Sequence, residues 1–226
     1  MRTDEKKQSL KQKWLLFLGL IKLTSNHVFD SLRCIRCFFA QIMEGNMEKG
    51  LNYIFNETTK IVILGTFPSE KSRNECYYNN PQNQFWKIMA EIFHESDIAN
   101  KDIEKSILYN LRYACLLNNG VGLWDVVEKC NIKGSSDKDI NKPKYNNFSI
   151  LKQKCPNLRC IVFNSKNAKK LFDKYLKQET NDNLKSWLLD LTNQGNNILP
   201  STSSANARKT LTEKLQEWKN FITKHI

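Results

Sequence analysis

The chain has 226 residues and a formal net charge of +12 at pH 7, with 40% hydrophobic and 11% aromatic residues. This length suits one domain with an extension, and this composition excludes a disordered, collagenous or low-complexity chain. The excess of basic residues is typical of proteins that bind polyanions, although a coding bias toward Lys and Asn would produce the same charge.

The first 46 residues differ in pattern from the rest of the chain. Residues 1–13 are polar and charged, residues 14–21 are apolar, and Lys22 ends the apolar run. This run is too short to span a bilayer as a helix, and no small-residue cleavage site follows it. Residues 1–46 are therefore interpreted as an N-terminal extension and residues 47–226 as the folded domain. Weak organelle targeting, an accessory helix and a later start at Met43 or Met47 all remain open for the extension.

The cysteines and histidines do not form a recognisable metal site. There are seven Cys and three His, and Cys34 and Cys37 are the one pair with C-x-x-C spacing. A zinc site would need a second pair at suitable spacing, and a chain of this size does not need a disulfide framework. We expect reduced thiols, no bound metal and few candidates for a histidine base.

From residue 60 the chain alternates between strand and helix patterns. Residues 60–65 are β-branched and apolar up to a Gly, which predicts a buried parallel strand, and residues 65–69 follow as a sharp turn. Residues 83–94 predict a helix, because four apolar residues recur at helical spacing on one face: Phe85, Ile88, Met89 and Ile92.

The alternation continues to the end of the chain. The pattern predicts a helix at 101–111 and a second strand after the loop at 119–120. It predicts a third strand at 160–163, a helix at 167–176 and a fourth strand tip at 197–200. A final helix opens at 201–206 and carries four apolar residues on one face: Leu211, Leu215, Trp218 and Ile222. Such repetition indicates an α/β layered domain with a mostly parallel sheet. Ligands of such sheets bind at the carboxyl ends of the strands, where the turns 65–69 and 200–206 lie.

Neither of these turns supplies an acid or a base. The turn at 65–69 contains no carboxylate, His or Cys, so its backbone N–H groups would have to face a ligand. The hydroxyl-rich turn at 200–204 suits a phosphate if it begins the last helix, but the sequence alone favours a plain helix cap there. No GxxxxGK[ST] or GxGxxG motif occurs, which argues against an ATPase or a dehydrogenase.

Residues 77–86 combine two Tyr, a Pro turn, several amides and a Phe-Trp pair. Aromatic faces stack on nucleic-acid bases and amides read base edges, so the segment fits a base-binding pocket. The alternative is that Phe85 and Trp86 belong to the core and the Asn side chains cap the helix.

Five short motifs in one order resemble the hypoxanthine-DNA glycosylase branch of the uracil-DNA glycosylase superfamily. They are Leu64-Gly-Thr-Phe-Pro-Ser69, the Tyr-Tyr-x-x-Pro-x-Asn-x-Phe-Trp segment at 77–86, Gly122-Leu-Trp-Asp-Val126, Gly134-Ser-x-Asp137 and Leu199-Pro-Ser-Thr-Ser-x-Ala-Asn206. Each motif alone is weak, but the ordered set is specific. The resemblance covers about residues 48–224.

The resemblance implies an α/β/α sandwich around a four-stranded, mostly parallel sheet. It implies a monofunctional DNA glycosylase of base excision repair that flips a deaminated base into a pocket and hydrolyses its N-glycosidic bond. Hypoxanthine is the first expected base and uracil a weaker one. The expected partner is single- or double-stranded DNA, with no cofactor, no metal, no membrane association and a monomeric protein. The expected location is the cytoplasm or nucleoid, or the nucleus in a eukaryote.

The resemblance also assigns candidate site residues. Asn83 matches the catalytic amide, which would hold a water beneath C1′, and Phe67 stands where uracil-excising relatives place Asp or Asn, so it would form a wall. The base pocket would comprise Gly65, Thr66, Phe67, Pro68, Ser69, Tyr78, Trp86 and Asp125, with Asp125 contacting the base edge or capping a strand end. The DNA-binding loop would comprise Pro200, Ser201, Thr202, Ser203, Ser204 and Asn206, with Ser201 and Ser203 contacting phosphates.

The chain departs from the family pattern near the scissile sugar. The family usually has His-Pro-Arg-Asn where this chain has Asn80-Pro81-Gln82-Asn83, and Pro where it has Ser204. The loss of His and Arg removes charge from that segment. A catalytically weak or inactive lesion-binding module of the same fold is therefore the alternative function.

Overall fold

The computed structural model describes residues 47–193 and 195–226, so the predicted extension, with Cys34 and Cys37, lies outside the described residues. In chain order the elements are β1 (Glu48–Lys49), β2 (Ile61–Gly65), α1 (Phe85–Phe93), α2 (Lys105–Asn118), β3 (Val121–Asp125), β4 (Val127–Asn131), β5 (Asn141–Tyr145), α3 (Ser149–Lys154), β6 (Cys160–Phe163), α4 (Lys166–Gln178), α5 (Asp182–Thr192) and α6 (Leu211–His225), with 3₁₀ turns at Ser96–Ala99 and Asp137–Asp139.

A parallel sheet in the order β3-β2-β6 forms the centre of the domain. β2 pairs with β3 from Ile61–Val121 to Gly65–Asp125 and with β6 from Ile61–Cys160 to Leu64–Phe163. A single parallel bridge between Phe163 and Ile198 extends the sheet at the β6 edge. The parallel sheet is therefore confirmed with three strands, and the expected fourth strand is reduced to this bridge.

Helices cover both faces of the sheet. Because successive side chains of a strand point to opposite faces, Val62 and Leu64 pack with Phe172 of α4 and Leu188 of α5, whereas the alternate β2 residues lie in a second cluster. That second cluster joins the sheet to α1 and α6 and contains Ile61, Ile63, Ile88, Met89, Trp218 and Ile222. The α/β/α sandwich is confirmed, as is the buried face of α1.

The last helix begins later than the pattern predicted. α6 starts at Leu211 after a capping box in which the Thr210 hydroxyl accepts the Glu213 N–H at 3.2 Å and the Glu213 carboxylate accepts the Thr210 N–H at 2.7 Å. Residues 201–206 therefore do not cap this helix, and Leu211 is exposed rather than on the buried face. Trp218 and Ile222 are fully buried as expected.

Three parts of the fold have no counterpart in the predicted elements. β1, β4 and β5 form a small antiparallel sheet in the order β1-β4-β5, α3 is a short helix between β5 and β6, and α5 adds a helix against β6. β4 begins two residues after β3 ends, so the chain turns directly from one sheet into the other. Within residues 47–193 and 195–226, no helix has the length and apolar character needed to cross a membrane.

Candidate active site

A cleft of about 700 Å³ opens at the carboxyl ends of the parallel strands. β2 ends there with Gly65, β3 ends with Asp125, and Asn164 directly follows β6. Its lining includes Gly65, Thr66, Phe67, Pro68, Ser69, Tyr78, Asn80, Asn83, Asp125, Asp137, Lys138, Asn164, Ser201, Thr202, Ser203, Ser204, Asn206 and Arg208. The fold thus brings most of the predicted site residues into one cleft, in the place expected for a ligand of a parallel sheet.

Gly65 leaves room for the Asp125 side chain. A Cβ at position 65 would lie 2.2 Å from Asp125 Oδ1 and 3.3 Å from the Tyr78 hydroxyl oxygen. Any larger residue would therefore displace the carboxyl group. The Gly at the end of β2 brings the side chains of two other segments together at one point.

Asp125 is a buried carboxyl group with an unusual environment. Asp125 is 3% exposed, and its Oδ2 atom makes no hydrogen bond within the described residues. Burial, reinforced by the charge of Asp137, raises its pKa to about 8. Asp125 is therefore largely neutral at pH 7, so one of its oxygens carries a proton that can be donated.

Asp137 approaches the same cleft from the 3₁₀ turn. Its Oδ2 accepts the Thr66 hydroxyl at 2.8 Å and the Asn167 amide at 3.1 Å. Burial raises the pKa of Asp137, and these two donors oppose that shift because they stabilise the charged form. The two carboxyl groups are thus differentiated, since one has two fixed donors and the other has an oxygen without any.

Tyr78 is held in a left-handed backbone conformation with φ of 56°. Such a conformation is strained for an aromatic residue and is typically maintained at functional sites. Its ring stacks on Phe85 with a centroid distance of 4.0 Å. Its hydroxyl oxygen is buried without a hydrogen bond of acceptable geometry to any described residue, and burial raises its pKa.

Asn83 lies at the start of α1 and lines both the cleft and a neighbouring cavity of about 390 Å³. Its carboxamide oxygen accepts the Phe85 N–H at 3.0 Å, and its backbone N–H donates to the Asn80 carbonyl at 2.8 Å. The first contact fixes the direction of the side chain, and the second fixes the backbone that carries it. Because an amide oxygen has two lone pairs and the amide nitrogen two protons, further positions on Asn83 can bind a water.

The hydroxyl-rich loop at 201–206 is tied to the sheet through Thr202. The Thr202 N–H donates to Asn164 Oδ1 at 3.0 Å, Asn164 Nδ2 donates to the Thr202 hydroxyl at 3.0 Å, and the Thr202 carbonyl accepts the Gln84 N–H at 2.9 Å. This clamp connects the loop to β6 and α1. Ser201, Ser203, Ser204 and Asn206 remain along the cleft.

Two predicted site residues, Trp86 and Pro200, do not line the cleft, and a third, Thr202, lines it without an exposed surface. Trp86 is buried behind it, where its indole N–H donates to the Tyr77 carbonyl at 2.8 Å and its ring faces the Arg112 guanidinium at 4.8 Å. The Pro200 carbonyl instead accepts the Trp218 indole N–H at 3.0 Å. Thr202 is completely buried, and its N–H, hydroxyl and carbonyl groups all hydrogen-bond within the protein, so it presents no surface to a DNA phosphate in this conformation.

Among the cleft residues to which the sequence analysis assigned no role are Asp137, Lys138, Asn164 and Arg208. Asn164 could have been found from its position directly after an apolar strand. Asp137 belongs to the fourth motif, which by itself does not indicate a chemical role for the carboxyl group. Within the described part of the chain, no group of three or more Cys, His, Asp or Glu side chains is arranged to hold a metal ion, and the five described Cys are buried free thiols.

Comparison with known proteins agrees with this architecture. Residues 53–225 match the model of the uracil DNA glycosylase superfamily. The chain is 37% identical over 122 residues to a hypoxanthine DNA glycosylase of Methanosarcina barkeri (strain Fusaro), and 35% identical over 123 residues to one of Methanosarcina acetivorans. Each alignment covers 54% of this chain and 73% of the relative.

A solved structure also matches the fold. It is the solution NMR structure of a Methanosarcina acetivorans protein proposed to be a uracil DNA glycosylase, with a TM-score of 0.57 and 31% sequence identity. The match covers 78% of this chain and 96% of that one. The chain therefore belongs to the uracil DNA glycosylase superfamily, and within it to the branch of N-glycosyl hydrolases that contains the hypoxanthine DNA glycosylases.

Proposed function

We propose that this protein excises hypoxanthine, and more weakly uracil, from DNA by flipping the damaged nucleotide into the cleft and hydrolysing its N-glycosidic bond. The observation that carries the proposal is the convergence of Asn83, Asp125 and the hydroxyl-rich loop on one cleft at the strand ends. A volume of about 700 Å³ falls within the range of small-ligand pockets. Base flipping is required because the scissile bond is inaccessible inside a duplex.

In this proposal Asn83 orients the attacking water. The hydrogen bond from the Phe85 N–H holds its carboxamide in one direction. An amide is too weak a base to ionise water, but the transition state resembles an oxocarbenium ion, so a positioned water suffices. Asp125 contacts the edge of the base, and Phe67, half-buried at the cleft, forms a wall.

In the same proposal the exposed cleft margin binds the DNA backbone. Ser203, Ser204 and Asn206 supply hydrogen-bond donors, and Lys138 and Arg208 supply positive charge. Phosphate contacts position a protein on DNA without reading its sequence. The protein acts as a monomer and without a lyase step.

Base release from an inosine-containing oligonucleotide, followed by alkaline cleavage of the abasic site, tests this mechanism. Asn83→Ala should lower the rate by about 10²–10³-fold, as expected for loss of a preorganised catalytic group. Asn83→Ser retains a short side chain that can accept the Phe85 N–H but cannot reach the water. It should therefore be as inactive as Asn83→Ala while preserving the hydrogen bond at the start of α1. Full activity of either variant would refute the role of Asn83.

A lesion-binding module without catalysis is the second candidate. It is favoured by Asn80, which lines the cleft where the family usually has a His. Tight binding of wild type to inosine DNA without release of any base would establish this alternative. Asn110→Ala, on the exposed side of α2, is the matched control in both assays.

A further inference from the structure

We propose that Asp125, in its neutral form, donates a proton to a ring nitrogen of the departing purine, with the Tyr78 hydroxyl hydrogen-bonded to the same base. This inference rests on the proposed function and deepens it. It makes Asp125 a catalytic residue and assigns the pocket a preference for purines over pyrimidines.

The geometry places two buried polar atoms with incomplete hydrogen bonding at one point. Asp125 Oδ2 makes no hydrogen bond within the described residues, and the Tyr78 hydroxyl oxygen, which lies near the Asn164 side chain, makes none of good geometry. Both side chains approach the position where Gly65 lacks a Cβ. A buried polar group without a partner is destabilising, and two such groups at the inner end of a cleft indicate where ligand atoms complete the hydrogen bonding.

The strained backbone of Tyr78 supports the same conclusion independently. Its φ of 56° is unfavourable for an aromatic residue, and the stack on Phe85 holds the ring in place. The fold thus maintains a costly conformation that brings the Tyr78 hydroxyl and the Asp125 carboxyl group to the same point beside Gly65. A bound base would complete the hydrogen bonding of both groups.

The surroundings of Asp125 keep its proton in place. The titratable groups that face it are Asp137 from the 3₁₀ turn and the phenols of Tyr77 and Tyr78, while the neighbouring strand ends contribute Thr66 and Asn164, which do not titrate. Burial and the charge of Asp137 both favour the neutral acid, whose pKa is about 8. General acids work best when their pKa is near the working pH.

The proposed step is balanced. The bond between C1′ and N9 breaks, its electron pair moves to the base, and the proton of Asp125 is transferred to N7 or N3 of the purine. The water held by Asn83 adds to C1′ and releases one proton to solvent, and the Asp125 carboxylate recovers a proton from solvent. Uracil has no unprotonated ring nitrogen apart from the one in the glycosidic bond, so this assistance is specific to purines.

Single-turnover rates between pH 5.5 and 9.5 test the inference on oligonucleotides that contain inosine, uracil, 7-deazainosine or 3-deazainosine. Release of hypoxanthine by wild type should fall about tenfold per pH unit above about 8, as Asp125 ionises. Asp125→Asn should lose about 10²–10⁴-fold of this rate and its high-pH decline, because an amide donates a hydrogen bond but transfers no proton. The rate at which Asp125→Asn releases uracil should fall by a much smaller factor.

Matched variants separate the possible outcomes. Asp139→Asn changes an exposed carboxylate in the same 3₁₀ turn and should behave like wild type. Asp137→Asn should move the high-pH decline to lower pH, because it removes the negative charge that raises the pKa of Asp125. The deaza substrate that is released slowly, and that no longer depends on Asp125, identifies the accepting nitrogen.

The failure of this inference differs from the failure of the proposed function. If wild type releases no base from any substrate, the proposed function fails. If wild type releases hypoxanthine but Asp125→Asn keeps its rate and pH profile, only the proton donor is refuted. Rapid release of both deaza bases would also refute it. Thermal unfolding and binding to inosine DNA confirm that the Asp125→Asn variant is folded and occupied.

Discussion

Replacement of Asp125 by Asn should stabilise the folded domain at neutral pH even while it impairs catalysis. The carboxyl group is 3% exposed and one of its oxygens has no hydrogen-bond partner in the described structure. Its pKa is about 8 in the folded chain against an ordinary value of 3.8. An amide of the same shape has no charged form to disfavour.

The sign of the effect follows from proton linkage. Between pH 4 and 8 the unfolded chain releases a proton that the folded chain retains, so this group lowers stability as pH rises. Each pKa unit corresponds to about 1.4 kcal/mol, which gives a penalty of about 1 kcal/mol at pH 4.5 and about 4 kcal/mol at pH 7. Above pH 8 both states are ionised and the penalty is constant.

Urea unfolding of wild type and of the Asp125→Asn variant at several pH values between 4.5 and 7.5 measures this penalty. The difference in free energy of unfolding should grow in favour of the variant by about 4 kcal/mol from pH 4.5 to pH 7.5. Using this change rather than the difference at one pH removes any packing effect that does not depend on pH. Asp139→Asn, with an exposed carboxylate, should track wild type. Parallel curves for wild type and Asp125→Asn would refute the assigned burial of a neutral acid.

Two further substitutions test the geometry of the cleft and its charge. Gly65→Ala places a Cβ 2.2 Å from Asp125 Oδ1, so it should lower stability by about 1–3 kcal/mol and abolish base release. The Gly65→Ala/Asp125→Ala double variant should recover stability but not activity, and additive losses in thermal unfolding would contradict the contact. Arg208→Ala should weaken DNA binding equally for damaged and undamaged sequences and lower the slope of log K against log salt by about one. An unchanged slope in fluorescence anisotropy would show that Arg208 makes no phosphate contact.

The sequence predicted the elements whose pattern is local. β2 and β6 are apolar, β-branched runs that are buried on both faces, and the buried face of α1 follows from four residues at helical spacing. The position of the cleft followed in turn, because parallel strands place their carboxyl ends at one edge of a sheet. Hydrophobic periodicity was sufficient to predict these strands, this helix and the position of the cleft, because burial dominates the stability of these elements.

The remaining elements depend on contacts that no local pattern reveals. β1 has two residues, and β5 is polar and contains Pro143, so neither shows the alternation of a strand. The hydroxyl-rich loop looked like a helix cap, but Thr202 is held by Asn164 and Gln84 from distant segments instead. The start of α6 is the exception, because the capping box formed by Thr210 and Glu213 is a local sequence signal.

The chemistry of the site is likewise a product of tertiary structure. The proton affinity of Asp125 depends on its burial and on the charge of Asp137 twelve positions later, and its space depends on Gly65 sixty positions earlier. A motif can place a carboxyl group at the end of a strand, but it does not indicate whether that group is ionised. This is why the sequence suggested a base-edge contact and the structure suggests an acid.

The departures from the family pattern differ in their expected effect on the site, because they occupy different places in the fold. Asn80 lines the cleft, and its side-chain oxygen accepts the Gln82 N–H at 3.0 Å, whereas the exposed Gln82 does not line the cleft. The loss of Arg at 82 therefore changes the surface beside the site, and of these two losses only that of His at 80 changes the site itself. A protonated His at 80 would favour ionisation of a nearby carboxyl group, since opposite charges stabilise each other. A neutral amide at that position is therefore compatible with a neutral Asp125, and catalysis that depends on a proton from Asp125 does not need the missing cation.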